Sequence, residues 1–276
     1  HVTTYALSHT VLPVVQRARV PVIILNLSPT KAIDYKSFNS IKDRTKMTGK
    51  WLEYCSACPL PEIANVFKRT GVNFYQVTGY LEEEKVWNEI KDWIDAATVA
   101  NIMYHNRVGC MGHYYNGMLD IYSDLTNQTA HFGGHFEIIE VDELSAIRRQ
   151  VTADEIEKRV KLFYEVFDIQ DDCPVDDLKA AAKTSLALDK LTEKHQLGSM
   201  AYYYMGTGTE ENEETISSII LGNSLLTERG IPVAGEYEIK NVQAMKIMDS
   251  FGAGGSFTEY YAMDYDDDVV LMGHDG

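Results

Sequence analysis

Short apolar runs alternate with amphipathic segments along almost the whole chain, and that alternation restricts the fold to sheet strands covered by helices. "VPVIILNL" (20–27) reads as a buried strand, with "VTTYAL" (2–7) as a strand and 10–18 as a helix before it. "PEIANVFKRT" follows as a helix with Ile63, Val66 and Phe67 on one face, and "VNFYQVT" (72–78) is the next strand. In "EEEKVWNEIKDWIDAA" (82–97) the acidic first turn suits the positive end of a helix. Val86, Ile90, Trp93 and Ile94 form its buried stripe.

A second unit is expected to begin at "VANIMYHNRVGCM", read as another buried strand. Thr152 and Glu155 have capping-box spacing at the head of a helix. A helix over 175–195 should stop at Gly198, followed by a strand at 200–205 and a helix over 215–228 closed by Gly230. The short strand "IPVAG" and a helix over 238–250 closed by Gly252 complete the unit. From Ser256 onward the pattern is strand-like around an acidic turn. The expected divisions are therefore 1–98, 99–255 and a β-rich 256–276.

A net charge of −16 and 25 scattered Lys and Arg argue against nucleic acid as a partner. No apolar run has the length of a bilayer-spanning helix, so no membrane role is expected. Four cysteines are too few and too unevenly spaced for a disulfide framework, which makes a reducing cytoplasm the expected compartment. The chain opens on His1 inside a strand-like run and closes just after another, so it reads as a fragment of a longer protein in which a site can be incomplete.

Ligands of open α/β sheets gather beyond the carboxyl ends of strands. Three groups follow apolar runs late in the chain: Glu236 after "IPVAG", Glu259 in "GGSFTEYY", and His274 after "VVLMG". Two carboxylates and an imidazole suit a divalent metal such as Mn²⁺, with one carboxylate able to move a proton. An exposed Glu or a surface His is the commoner explanation of each taken singly.

Other motifs carry less. "CSACP" (Cys55, Cys58) has redox-pair spacing, but the flanking Glu53 and Glu62 oppose thiolate formation, and two small buried cysteines near a helix start are expected. His131 and His135 are four apart, yet Gly133 and Gly134 between them favour a turn over an aligning helix. "MGTGTEENEE" holds Gly206 and Gly208 like a phosphate loop, but its glutamates would repel phosphate. "GAGG" (252–255) reads as a helix stop and "DYDDD" as a solvated turn.

The segment "AGEYEIKNVQAMKIMDSFGAGGSFTEYYAMDY", with the apolar run ending in Gly-His that follows it, resembles the L-arabinose isomerase family. That family carries Gly-Glu-Gly-Asp, Met-Lys-x-Met, Gly-Gly-x-Ser-Phe-x-Glu and a strand ending in His. "TGYLEEEKVWNEIKDWI" extends the likeness toward the amino end.

The resemblance implies an α/β chain of tandem Rossmann-like three-layer units with parallel sheets: a partial unit at 1–98, a central one at 99–255, and the start of a C-terminal β-barrel at 256–276. It implies a metal-dependent aldose-ketose isomerase working through a cis-enediol. Glu236 and Glu259 would be acid/base residues, and Glu236, Glu259 and His274 would be ligands of Mn²⁺, or of another divalent ion such as Co²⁺ or Mg²⁺. Tyr261 would lie near the sugar. A fourth ligand would fall past Gly276, leaving the fragment inactive alone, and the whole protein would be a homo-oligomer with sites between subunits. "MGHDG" and "DRTKMTGKW" depart from the family's Gly-Ser-His-Met-Leu-Glu and Asn-Gln-Thr-Ala-His, so the sugar and the choice of base stay open. A non-catalytic sugar-binding or regulatory module is the rival reading, and a redox protein using Cys55 and Cys58 a more distant one.

Overall fold

The computed structural model describes residues 1–206 and 209–274. Its contacts divide the chain into two compact units, His1–Thr98 and Val99–Gly276. Both are mixed α/β.

In the first unit, helix α1 (Ser8–Val15) precedes strand β1 (Ile23–Ser28), and α2 (Tyr35–Ser40), α3 (Arg44–Glu53) and α4 (Leu60–Arg69) lead to β2 (Tyr75–Tyr80). β1 and β2 pair in parallel, Leu25 opposite Val77. Ile24 packs on Leu60, Ile63 and Phe67 on one side of this sheet. On the other, Leu27 and Val77 meet Val86 and Ile90, two residues of the stripe read from the sequence. The expected strand at 2–7 is absent: the segment meets β1 through the Val2 amide, which donates to the Leu25 carbonyl at 2.9 Å, and the His1 ring, 3.3 Å from the Leu27 carbonyl.

Helix α5 (Glu84–His105) runs eight residues beyond the expected Ala97, so that "VANIMYH" is helical and the strand begins later, as β3 (Arg107–Gly112). Val99 and Met103 continue the buried stripe at helical spacing, which an apolar run alone cannot distinguish from a strand. Next come α6 (Leu125–Phe132), β4 (His135–Ile139), α7 (Val141–Arg148), α8 (Ala153–Val166), α9 (Val175–His195) and β5 (Ser199–Tyr203). They are followed by α10 (Glu210–Ser217), α11 (Ile220–Glu228), β6 (Val233–Ala234) and α12 (Ile239–Ser250). The four strands form a parallel sheet in the order β4-β3-β5-β6. Successive connections run in opposite directions from β3, which creates a switch point between β3 and β5, where such folds bind ligands. One face carries Met111, Ile139 and Met200 against Leu188 and Leu191 of α9. The other carries Val108, Cys110 and Ala201 against Ile239 and Val242 of α12.

Two helix stops differ from expectation. Gln196, at φ 53°, ends α9 in the left-handed conformation. Gly198 instead lets the chain pass Asn106, because a Cβ there would lie 2.2 Å from the Asn106 Oδ1. The single helix expected over 215–228 is two, α10 and α11. Gly208, the second glycine of the phosphate-loop reading, lies outside the described residues, as does Asp275.

The end of the chain is an antiparallel hairpin of β7 (Glu259–Asp264) and β8 (Val269–Gly273), turned by an acidic loop in which Asp264 accepts from the amides of Asp266 and Asp267 at 3.0 Å. A β-barrel is not shown: two strands cannot close one, which takes about eight. No helix among the described residues is long and apolar enough to cross a membrane.

The capping box at Thr152 and Glu155 is formed, and Glu155 also binds Lys190 of α9 at 2.9 Å. The Lys190 hydrogen bond first, and then the Thr152 bonds, hold the Glu155 carboxyl down at about 2 against an ordinary 4.5. Because the folded value is depressed, this contribution to stability is complete above about pH 4.5 and is lost as pH falls toward 2. Thermal melts across that window should show a shallower acid limb for Glu155→Gln than for the parent chain.

Candidate metal centre

β6 is only two residues long, and the chain turns sharply beyond it. Glu236 (φ 56°) and Tyr237 (φ 62°) both adopt left-handed backbone, a conformation that costs non-glycine residues about 1–3 kcal/mol each. Surrounding bonds hold the turn. The Tyr237 amide donates to the Tyr202 carbonyl at 2.9 Å, the Glu238 amide to Gly235 at 2.9 Å, and the Tyr115 amide to the Glu236 carbonyl at 3.4 Å. The Tyr237 ring, 5 % exposed, is buried beside Cys110 with Tyr114 edge-on at 4.7 Å. Glu238 then caps α12 through the Lys240 amide at 3.2 Å.

The hairpin supplies the other two groups. Glu259, the first residue of β7, pairs with Gly273, the last of β8, so the register brings His274 beside it. Ligand atoms of Glu236, Glu259 and His274 all lie within 4.8 Å of one another. His274 Nε2 is 3.9 Å from Glu236 Oε1, and their side chains are 22 % and 14 % exposed. The centre is thus partly withdrawn from water yet open on one side. Burial first, and then the Glu259 carboxylate, push the Glu236 carboxyl above its ordinary range, while His274 opposes the shift.

Oxygen and nitrogen donors bound to a divalent ion at roughly 2.0–2.2 Å lie no more than about 4.4 Å apart. The Glu236–His274 separation of 3.9 Å already lies inside that limit, and modest side-chain adjustment would converge the three groups on one cation, so this donor set fits a metal. Tyr261 falls at a β-bulge, where pairing steps from Tyr260–Met272 to Ala262–Leu271, and it is half exposed. His131 and His135, by contrast, are separated by two left-handed glycines: His131 bonds to the Asn127 carbonyl and His135 to Glu137.

Sequence reasoning missed Phe257. Its ring lies 4.6 Å from the imidazole of His274, and a Cβ on Gly235 would come within 3.0 Å of Phe257 and 3.5 Å of His274. The signal available was its place in "SFTE", two residues before Glu259. Tyr203 was missed as well. It lies against Tyr115 at 4.7 Å with His113 edge-on at 5.6 Å at the switch point, and burial followed by Tyr115 raises its hydroxyl, with Glu236 adding a smaller push. A cleft of about 520 Å³ opens beside the centre, with Gly235, Phe257 and His274 on one wall and Asn223, Thr227 and Glu228 on the other.

No protein-family model matches the chain. The chain is similar to an L-arabinose isomerase of Bacillus subtilis (strain 168), with 24 % identity over 224 residues, covering 77 % of this chain and 44 % of that protein. It therefore spans less than half the length of this relative.

The Phe257 ring covers one side of the His274 imidazole. Phe257→Ala should make His274 react severalfold faster with diethylpyrocarbonate, as read by peptide mapping, while Phe257→Leu should stay near the parent rate.

Proposed function

We propose that this chain carries the metal-binding and proton-transferring residues of a divalent-metal-dependent sugar isomerase, converting aldose to ketose. The observation that carries the reading is the convergence of Glu236, Glu259 and His274 from two separate elements onto one point, beside a sheet's carboxyl edge and an open cleft. Similarity to an L-arabinose isomerase supports the reaction class.

Glu236, Glu259 and His274 would hold the ion, with Mn²⁺ as the first candidate and Co²⁺ or Mg²⁺ as others, given the oxygen-rich donor set. When bound, such an ion supplies Lewis-acid stabilisation of charge on neighbouring sugar oxygens. The chain's own part is proton movement. Aldose-ketose exchange through a cis-enediol requires removal of the C2 proton and delivery of one to C1. Glu236 and Glu259, side by side at the centre, are the carboxylates placed to move those protons. The left-handed turn and the hairpin register fix the two carboxylates relative to each other. Tyr261, two residues from Glu259, is a candidate sugar contact, and a homo-oligomeric cytoplasmic enzyme is the expected setting.

A second reading, a sugar-binding module without turnover, takes its support from the open cleft beside His274. Calorimetric titration with MnCl₂, followed by ketose assays of the full-length protein on a panel of aldoses, separates the two. The isomerase reading expects one Mn²⁺ per chain. Glu236→Gln, Glu259→Gln and His274→Asn should each weaken Mn²⁺ binding by more than the roughly 10–100-fold that loss of an outer partner costs. Ketose formation should depend on the metal and disappear in both glutamate variants. Sugar binding without ketose would favour the module, and Mn²⁺ affinity unchanged in all three variants would sink the metal centre.

A further inference from the structure

Cys55 and Cys58 were expected as two buried structural thiols near a helix start; in the structure only Cys55 is buried and Cys58 is exposed. They occupy a 3₁₀ turn, Cys55–Ala57, between α3 and α4, closed by the Cys58 amide donating to the Cys55 carbonyl at 3.3 Å. A 3₁₀ turn has three residues per turn and rises about 2 Å per residue, so side chains three apart eclipse each other with Cα atoms roughly 6 Å apart. That separation lies within the approximately 4.4–6.8 Å a disulfide requires. Cys58 keeps helical backbone (φ −59°, ψ −50°), so both side chains share one face of the turn. The carboxylates that flank the pair in sequence are engaged elsewhere, Glu53 with Lys50 and Glu62 with the Ser8 amide at 3.0 Å. Both cysteines line an aromatic cleft of about 390 Å³ formed with Tyr35, Phe38, Trp51 and Tyr54.

We infer that Cys55 and Cys58 form a reversible intrachain disulfide, a redox-responsive site in the first unit whose reaction partner is a small-molecule disulfide such as oxidised glutathione. The exposed Cys58 reacts first. Its thiolate attacks one sulfur of the partner, releasing one partner thiolate and leaving a mixed disulfide on Cys58. Cys55 then gives up its proton and attacks the Cys58 sulfur, breaking the mixed disulfide and releasing the second partner thiolate. Two protein thiols are oxidised by two electrons and the partner disulfide is reduced to two thiols. The division of roles follows from access: Cys55 is buried, and the Cys58 sulfur beside it, with burial second, holds its thiol above the ordinary range. A structural zinc site needs four ligands, and among the described residues no third metal-ligating side chain joins these two.

The test equilibrates the full chain in glutathione buffers of stepped oxidised-to-reduced ratio, traps free thiols with a maleimide, and reads peptides by mass spectrometry. The expected result is a single two-electron transition in which the peptide bearing Cys55 and Cys58 loses two hydrogens and both alkylation sites, unchanged in a Cys110→Ser, Cys173→Ser background. Cys55→Ser should instead trap a glutathione adduct on Cys58, whereas Cys58→Ser should leave Cys55 largely unmodified. Both thiols staying alkylatable across the whole range, or glutathione adducts alone in the parent chain, would overturn the inference. So would pairing of either residue with Cys173 or with another chain.

Discussion

Two consecutive left-handed residues at the end of β6 are the constraint on which the candidate centre depends. An extended continuation of so short a strand would carry Glu236 away from the sheet edge. Reversing the chain there requires a conformation that neither Glu nor Tyr favours, and the compensation is local. Three backbone hydrogen bonds tie the turn to Gly235, Tyr202 and Tyr115, and the Tyr237 ring fills the space beside Cys110 under Tyr114. Backbone strain at a cluster of titratable groups is a recurring property of functional sites. Here it places one carboxylate at the edge of the sheet and lets α12 start immediately afterwards.

The hairpin solves a different problem, which is to bring a carboxylate and an imidazole distant in sequence to the same place. Antiparallel register does so directly, since Glu259 opposes Gly273 and His274 is the next residue. Phe257 and Gly235 complete the join: the ring lies against both the imidazole and the end of β6, in space that any larger residue at 235 would invade. Two carboxylates close together repel, and burial adds to the cost of charging both. A bound cation relieves that repulsion, and a proton on one carboxyl relieves it in part. The same arrangement therefore suits metal binding and proton exchange.

The first unit shows how misleading residue type can be without surroundings. Glu53 and Glu62, adjacent in sequence to the cysteines, argue against thiolate chemistry when read as free charges. In the fold Lys50 and the Ser8 amide engage them. The 3₁₀ turn aligns two thiols that an extended loop would have separated.

The α/β character, the parallel strands buried by amphipathic helices and the capping box at Thr152 were legible in the sequence because each depends on local periodicity or on residues three apart. The candidate residues Glu236 and His274 were legible as polar groups placed just after apolar runs, whereas Glu259 opens β7 rather than following a strand. Helix limits were not, where an apolar stretch such as "VANIMYH" fits either period and tertiary burial of Val99 and Met103 decides for helix. Nor did any local signal announce positive φ at Glu236 and Tyr237, the aromatic wall of Tyr115 and Tyr203, or Phe257 against His274. Those features follow from strand order, hairpin register and long-range packing. The sequence by itself determined which groups stand at strand ends; only the tertiary structure decided which of them meet, because meeting depends on distances between segments far apart in the chain.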